Sequence, residues 1–162
     1  MQTPTDYTFD FVLGIMGRLA QAQIATWLSG GWAEELRGMC PPRPHRDVDL
    51  LYPAPHFARL DQWLARTADL SAIPAKQFSH KRAFLCEHIM IEVVLLEPEQ
   101  KGGYLTNFFN RRYQLTWPHN TLSLLSVRDQ DVPVASDEAL RLYRHHHHSI
   151  TQAYRTYRQG HF

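Results

Sequence analysis

From Ile89 to Leu96 the chain reads Ile-Met-Ile-Glu-Val-Val-Leu-Leu, an apolar run broken by a single acid, Glu92. It is too rich in β-branched residues and too continuous for a half-exposed strand, so it predicts a strand with both faces covered. Any fold accepting it must build a sheet with further layers around it. A carboxylate inside such a strand is costly unless a cation, a partner or a solvent-filled cleft lies at hand.

A second acidic strand precedes it. Asp47 and Asp49 interleave with Val48, Leu50 and Leu51. Alternate strand residues share a face, so both carboxylates project together while Val48 and Leu50 point the other way. Backbones about 6–7 Å apart let the two acids converge on one divalent cation, and a hard, oxygen-preferring ion such as Mg2+ relieves their repulsion while bridging them to phosphate oxygens.

Upstream lies the glycine pair Gly30-Gly31, between an apolar lead-in, Ile24 to Leu28, and a helix-like stretch, Trp32 to Arg37. Glycine permits positive φ and lets a phosphate approach main-chain N–H groups, and the helix start adds favourable partial charge. Ser29 offers a hydroxyl beside them. Arg43, His45 and Arg46, on a segment stiffened by Pro41, Pro42 and Pro44, stand ready for β- or γ-phosphate oxygens.

Gly30-Gly31-Trp32-Ala33, Gly38 and the run Arg43-Pro44-His45-Arg46-Asp47-Val48-Asp49-Leu50 together resemble the signature of the nucleotidyltransferase superfamily related to DNA polymerase β. The fifteen residues between Gly31 and Asp47 suit the branch that includes aminoglycoside 2''-nucleotidyltransferase and the small lincosamide nucleotidyltransferases. The resemblance implies a minimal nucleotidyltransferase fold with a third carboxylate on a neighbouring strand, and Glu92 is the candidate. It implies Asp47, Asp49 and Glu92 as metal and catalytic residues, with Glu92 either completing the metal site or serving as general base. It also implies a nucleotide site at Ser29, Gly30, Gly31, Arg43, His45 and Arg46. The expected reaction moves AMP from ATP, with Mg2+, onto a hydroxyl of a small acceptor such as an aminoglycoside or lincosamide. Modification of a protein or RNA partner, as in toxin–antitoxin pairs, and a non-catalytic nucleotide-binding module are the other readings.

The rest of the chain agrees with an α/β (α+β) class, a small mixed sheet backed by helices. Phe9, Leu13, Met16, Leu19, Ala20 and Ile24 predict a first helix over 9–26, and Ile24 to Ser29 a first strand. Asp47 to Tyr52 is the acidic strand, and His56 to Thr67 a helix. Strands are expected near Ile73–Ser79, Arg82–Glu87, Ile89–Leu96, Tyr113–Trp117, Leu122–Val127 and Val132–Ser136. Ser136 then reads as an N-cap, with Asp137 and Glu138 in the first turn of a final helix reaching Tyr157. That helix, or the second subunit of a homodimer, is expected to close one side of the cleft. His145 to His148, with Arg141, Arg144, Arg155 and Arg158, read as a cationic helical face rather than a metal site.

With 162 residues, 44% hydrophobic and 20% charged, the chain suits one core, and residues 1–162 are expected to form a single domain. A net charge of +1 provides no general field for nucleic acid. Two cysteines are too few for a disulfide framework and fit a reducing cytoplasm. Met1 to Asp10 carries acids and no basic residue, unlike a signal peptide, and no stretch has the ~20 apolar residues that span a bilayer.

Overall fold

A computed structural model describes residues 7–160; residues 1–6, part of the segment read against a signal peptide, lie outside the described residues. The elements are α1 (Phe9–Gln21), β1 (Trp27–Ser29), α2 (Gly30–Leu36), β2 (Asp47–Pro53), α3 (Ala58–Ala65), β3 (Leu70–Ala72), β4 (Lys81–Cys86), β5 (Ile89–Pro98), β6 (Tyr104–Phe108), β7 (Tyr113–Thr116), β8 (Leu122–Val127), β9 (Gln130–Ala135) and α4 (Asp137–Gln159). The strands form one mixed sheet in the order β3-β4-β5-β2-β1-β9-β8, with the β6–β7 hairpin branching from the end of β5. No described helix is long and apolar enough to cross a membrane.

The two parallel pairings, β2 with β5 and β1 with β9, decide where the site lies. Because β1 runs antiparallel to β2, Ser29 and Ala135 finish their strands at the edge where Asp47 and Ile89 begin theirs. The starts of α2 and α4 are thereby brought to the same end of the sheet. The face bearing Val48, Leu50, Ile91 and Phe84 is fully buried. Trp63 of α3 packs edge-on against Phe84, and Arg18 of α1 lies over the Trp63 ring, so α1 and α3 cover that face. The opposite face carries the acids and is covered by α2 and α4.

α4 is held at both ends. Ser136 caps it, its side chain accepting a hydrogen bond from the Ala139 N–H at 3.1 Å. Arg37, just past α2, donates to the carbonyls of Val134 and Ala135 and pairs with Asp137 at 3.4 Å. Further along, Tyr143 stacks on Trp117 with rings 10° from parallel, and Tyr154 and Tyr157 pack on Phe78 and Phe109. The β6–β7 hairpin thus serves as a shelf for α4.

Several expectations are corrected. The first helix stops at Gln21 rather than Thr26, because Gln23 adopts φ +63° and the Ile24 N–H returns to the Leu19 carbonyl, closing the last turn. Ile24 kept helical spacing because it is a buried anchor after the cap, and the strand begins at Trp27. The short second helix starts at Gly30, not Trp32. No strand covers Ile73–Ser79: Pro74–Lys76 is one 3₁₀ turn. The Gln77 amide holds the carbonyls of Ile73 and Ala83 there, replacing strand pairing. β6, not foreseen as a strand, pairs with β5 and β7.

Ser136→Ala is expected to lower the unfolding free energy by about 1 kcal/mol, seen as a lower urea midpoint at unchanged slope. An unchanged midpoint would show that the cap does not hold α4.

Candidate active site

The strand register assembles the acids. Ser29 of β1 stands opposite Asp49 of β2, Asp49 opposite Glu92 of β5, and Glu92 opposite Ala83 of β4, a single row across four strands. Laterally paired residues share a face, so Glu92 lies beside Asp49, and Asp47 joins them from two residues earlier. One carboxylate oxygen from each of Asp47, Asp49 and Glu92 lies within 4.8 Å of the others. Three hard oxygen donors at this spacing fit a divalent cation such as Mg2+.

Electrostatics divides the three. Burial, then the nearby charges of Asp47 and Glu92, push the Asp49 carboxyl well above the usual carboxylate range, and its hydrogen bond with Asp47 adds to this. Asp47 is also raised, by burial and by Glu92, with Lys76 and Lys81 opposing. Burial pushes Glu92 up as well, but Lys81 and Lys76 outweigh it and hold it below its ordinary value. Lys81 Nζ lies 2.7 Å from Glu92 Oε2 and Lys76 Nζ 3.1 Å from Oε1. The aspartate pair is therefore the part of the cluster left short of positive charge.

Nothing in the local sequence marked the two lysines. Lys81 pairs with Val94, one diagonal step from Glu92, where a long side chain reaches across. Lys76 arrives on the 3₁₀ turn after Pro74. The alternation of β4 was a usable signal for Lys81 once the register with β5 was known; Lys76 had none.

The glycine pair is required by this packing. Gly30 adopts φ +62°, and a Cβ there would lie 2.1 Å from Asp49 Oδ2. A Cβ on Gly31 would fall 2.7 Å from His45 Nδ1 and 3.3 Å from an Arg43 guanidinium nitrogen. His45 is buried, sits 4.4 Å from the Trp32 ring, and has Nε2 3.0 Å from Glu35 Oε1, which also accepts the Arg43 backbone N–H. It ties the loop over residues 41–46 to α2. The Arg43 guanidinium lies beside Gly31, and Arg46 is exposed, without an ion pair among the described residues.

Above the acid row opens a cavity of about 510 Å³. Its floor is Asp49, Glu92, Leu51 and Val94, with Ser29 and Gly30 at one end and Lys81 at the side. α4 closes the far wall with Leu140, Tyr143, Arg144 and His147, so one member of the histidine run faces the cavity. Arg144 pairs with Glu34 of α2 across the opening. Burial, Asp49 and Glu92 all push the Tyr143 hydroxyl above its usual range, keeping it an O–H donor.

A mixed sheet that sets an Asp-x-Asp strand beside a third carboxylate, behind a glycine-led helix, is the architecture of a nucleotidyltransferase. Residues 11–157 match the family described as Aminoglycoside-2''-adenylyltransferase, and the chain belongs to that family of adenylyltransferases. Among solved structures, the lincomycin-bound lincosamide antibiotic adenylyltransferase LnuA shares the fold with a TM-score of 0.70 at 18% identity, over 90% of this chain and 96% of that one. ANT(2'')-Ia in complex with adenylyl-2''-tobramycin gives 0.61 at 14% identity, over 94% and 90%. Comparison with curated protein sequences gives no match.

Two outcomes are expected. Gly30→Ala should cost about 1–3 kcal/mol in chemical denaturation, because the left-handed backbone and the Asp49 carboxylate both oppose a Cβ. Asp49 has a raised folded-state pKa, so without a cation the fold loses stability as pH rises from the ordinary aspartate range, about pH 4, up to that raised value. In metal-free buffer, Asp49→Asn should therefore melt above the parent protein at neutral pH, with the gap closing towards about pH 4. A parent protein that melts higher at neutral pH would refute the repulsion.

Proposed function

We propose that the protein transfers AMP from ATP, with Mg2+, to a hydroxyl of a small-molecule acceptor of the antibiotic type, releasing pyrophosphate. The observation that carries this is the Asp49 to Glu92 register, which converges three carboxylates beneath an open cavity. The family's adenylyl specificity supports ATP as donor. The solved relatives, one bound to lincomycin and one to adenylyl-tobramycin, support hydroxyl-bearing antibiotics as the acceptor class.

Asp47 and Asp49 would hold Mg2+, which would supply charge neutralisation and polarise the phosphate oxygens, with Glu92 beside them as the base. Gly30 and Gly31 present main-chain N–H groups and Ser29 a hydroxyl to the triphosphate, while Arg43 and Arg46 meet its outer phosphates. His45 contributes by holding that loop on α2. Both Glu92 oxygens are taken by lysines in the ligand-free protein, so Lys81, which lines the cavity, exchanges Glu92 for the triphosphate as it enters. Glu92, freed on one oxygen and ionised, accepts the proton of the acceptor hydroxyl. That oxygen then bonds to the α-phosphorus, and the α–β phosphoanhydride bond breaks to release pyrophosphate. Positioning and charge neutralisation supply most of the rate.

Asp47→Asn and Asp49→Asn are each expected to abolish pyrophosphate release and weaken Mg·ATP binding. Glu92→Gln should lower turnover by about 10²–10⁴ while leaving nucleotide affinity largely intact in calorimetry. Equal loss of nucleotide affinity in all three would make Glu92 a metal ligand only, and full turnover in the aspartate variants would exclude the proposed chemistry.

A further inference from the structure

β8 is a free edge of the sheet, and we infer that it docks a second copy of this chain, the two β8 strands pairing antiparallel about a two-fold axis at Leu124. β8 ends the strand order, with β9 on one side and no strand on the other among the described residues. Its ladder shows which backbone groups are left over. In an antiparallel pair alternate residues exchange hydrogen bonds with the residue opposite, and those between them point their N–H and C=O groups away. Three observations fix the alternation. Leu124 stands opposite Pro133, which has no N–H to give. Arg128 and Asp129, at φ +51° and +63°, make the two-residue turn whose flanking pair, Val127 and Gln130, is a hydrogen-bonded one. Beyond the other end, the Ser136 N–H donates to the Thr121 carbonyl at 3.1 Å and extends the same register. Residues 121, 123, 125 and 127 therefore turn their backbone groups to β9, and Leu122, Leu124 and Ser126 present theirs to the open edge.

The occupant follows from symmetry and composition. A two-fold axis at Leu124 sets that residue opposite its own counterpart and Leu122 opposite Ser126, so all three outward residues are matched and about six N–H···O bonds form with none left over. Leu124 is 58% exposed, the one large apolar side chain exposed among the described residues, and its counterpart covers it. From Thr121 to Val127 the strand carries no charge and no proline, the residues that ordinarily guard an edge. A net charge of +1 sets little repulsion between copies. The opposite edge, β3, spans only Leu70–Ala72, so a head-to-tail contact of β8 on β3 would leave half of β8 unpaired, whereas β8 on β8 closes at two copies. β1 and β9 lie between this edge and the acids, and no β8 residue lines the cavity, so the interface is separate from that site and independent of the nucleotidyl-transfer reading.

A single strand pair is a narrow contact, so the dimer is expected to dissociate on dilution. Sedimentation velocity of the full chain, from micromolar to submillimolar concentration, should show a monomer–dimer equilibrium. Leu124→Pro removes the outward N–H without touching the β8–β9 ladder, and Leu124→Lys opposes two ammonium groups at the axis. Each should leave a monomer across that range, with the far-UV circular dichroism of the parent. Disulfide trapping checks the register. Under mild oxidant Leu124→Cys should yield a covalent dimer, because the two Cα atoms face each other at about 5.5 Å. Ser126→Cys should not, its counterpart being displaced by about 13 Å along the strand. A parent that stays monomeric throughout, a dimer that survives both Leu124 substitutions, or trapping through Ser126→Cys as readily as through Leu124→Cys overturns the inference.

Discussion

Mutual repulsion among three carboxylates is the constraint around which this structure is arranged. The parallel register of β2 and β5 sets Glu92 directly beside Asp49, and strand alternation adds Asp47 on the same face. Isolated, such a cluster opposes folding, since burial and like charge both penalise ionisation. The protein relieves only part of it. Lys76 and Lys81 reach Glu92, while the aspartate pair keeps raised proton affinities. The imbalance is concentrated where a divalent cation would gain most by binding, so the stability the ligand-free fold forgoes would become affinity for such a cation.

The surroundings follow from keeping that row reachable. Gly30 lacks a side chain because the Asp49 carboxylate occupies the space a Cβ would fill, and Gly31 because His45 does. α1 and α3 take the apolar face of the sheet, leaving the acid face to a short helix and a long one with a gap between them. α4 spans that gap. It is fixed by its Ser136 cap, by Arg37 and by the aromatic shelf of the β6–β7 hairpin, and the Arg144 to Glu34 pair bridges it to α2.

Much of this was legible in the chain because it depended on short-range rules. The Asp-x-Asp alternation, the lone acid in Ile89–Leu96 and the Ser136 cap followed by two acids are local patterns, and each reappears in place. The strand expected over Ile73–Ser79 failed because β propensity there lost to Pro74 and to the Gln77 side chain, which holds carbonyls that a neighbouring strand would have paired. The first helix was drawn too long because Ile24 is buried for tertiary reasons and imitates helical spacing.

By itself the sequence determined on what kind of element Gly30, Asp47, Asp49 and Glu92 each sit, since periodicity and backbone freedom act over a few residues. Only the tertiary structure decided their company. Lys76 and Lys81 on Glu92, His45 with Glu35 behind Gly31, and Tyr143, Arg144 and His147 above the acids are separated along the chain, and strand register and helix docking alone bring them together. Charge is cheap to place on a chain and costly to bury, so the pairing of buried charges, and with it the character of the cavity, is settled when the layers close.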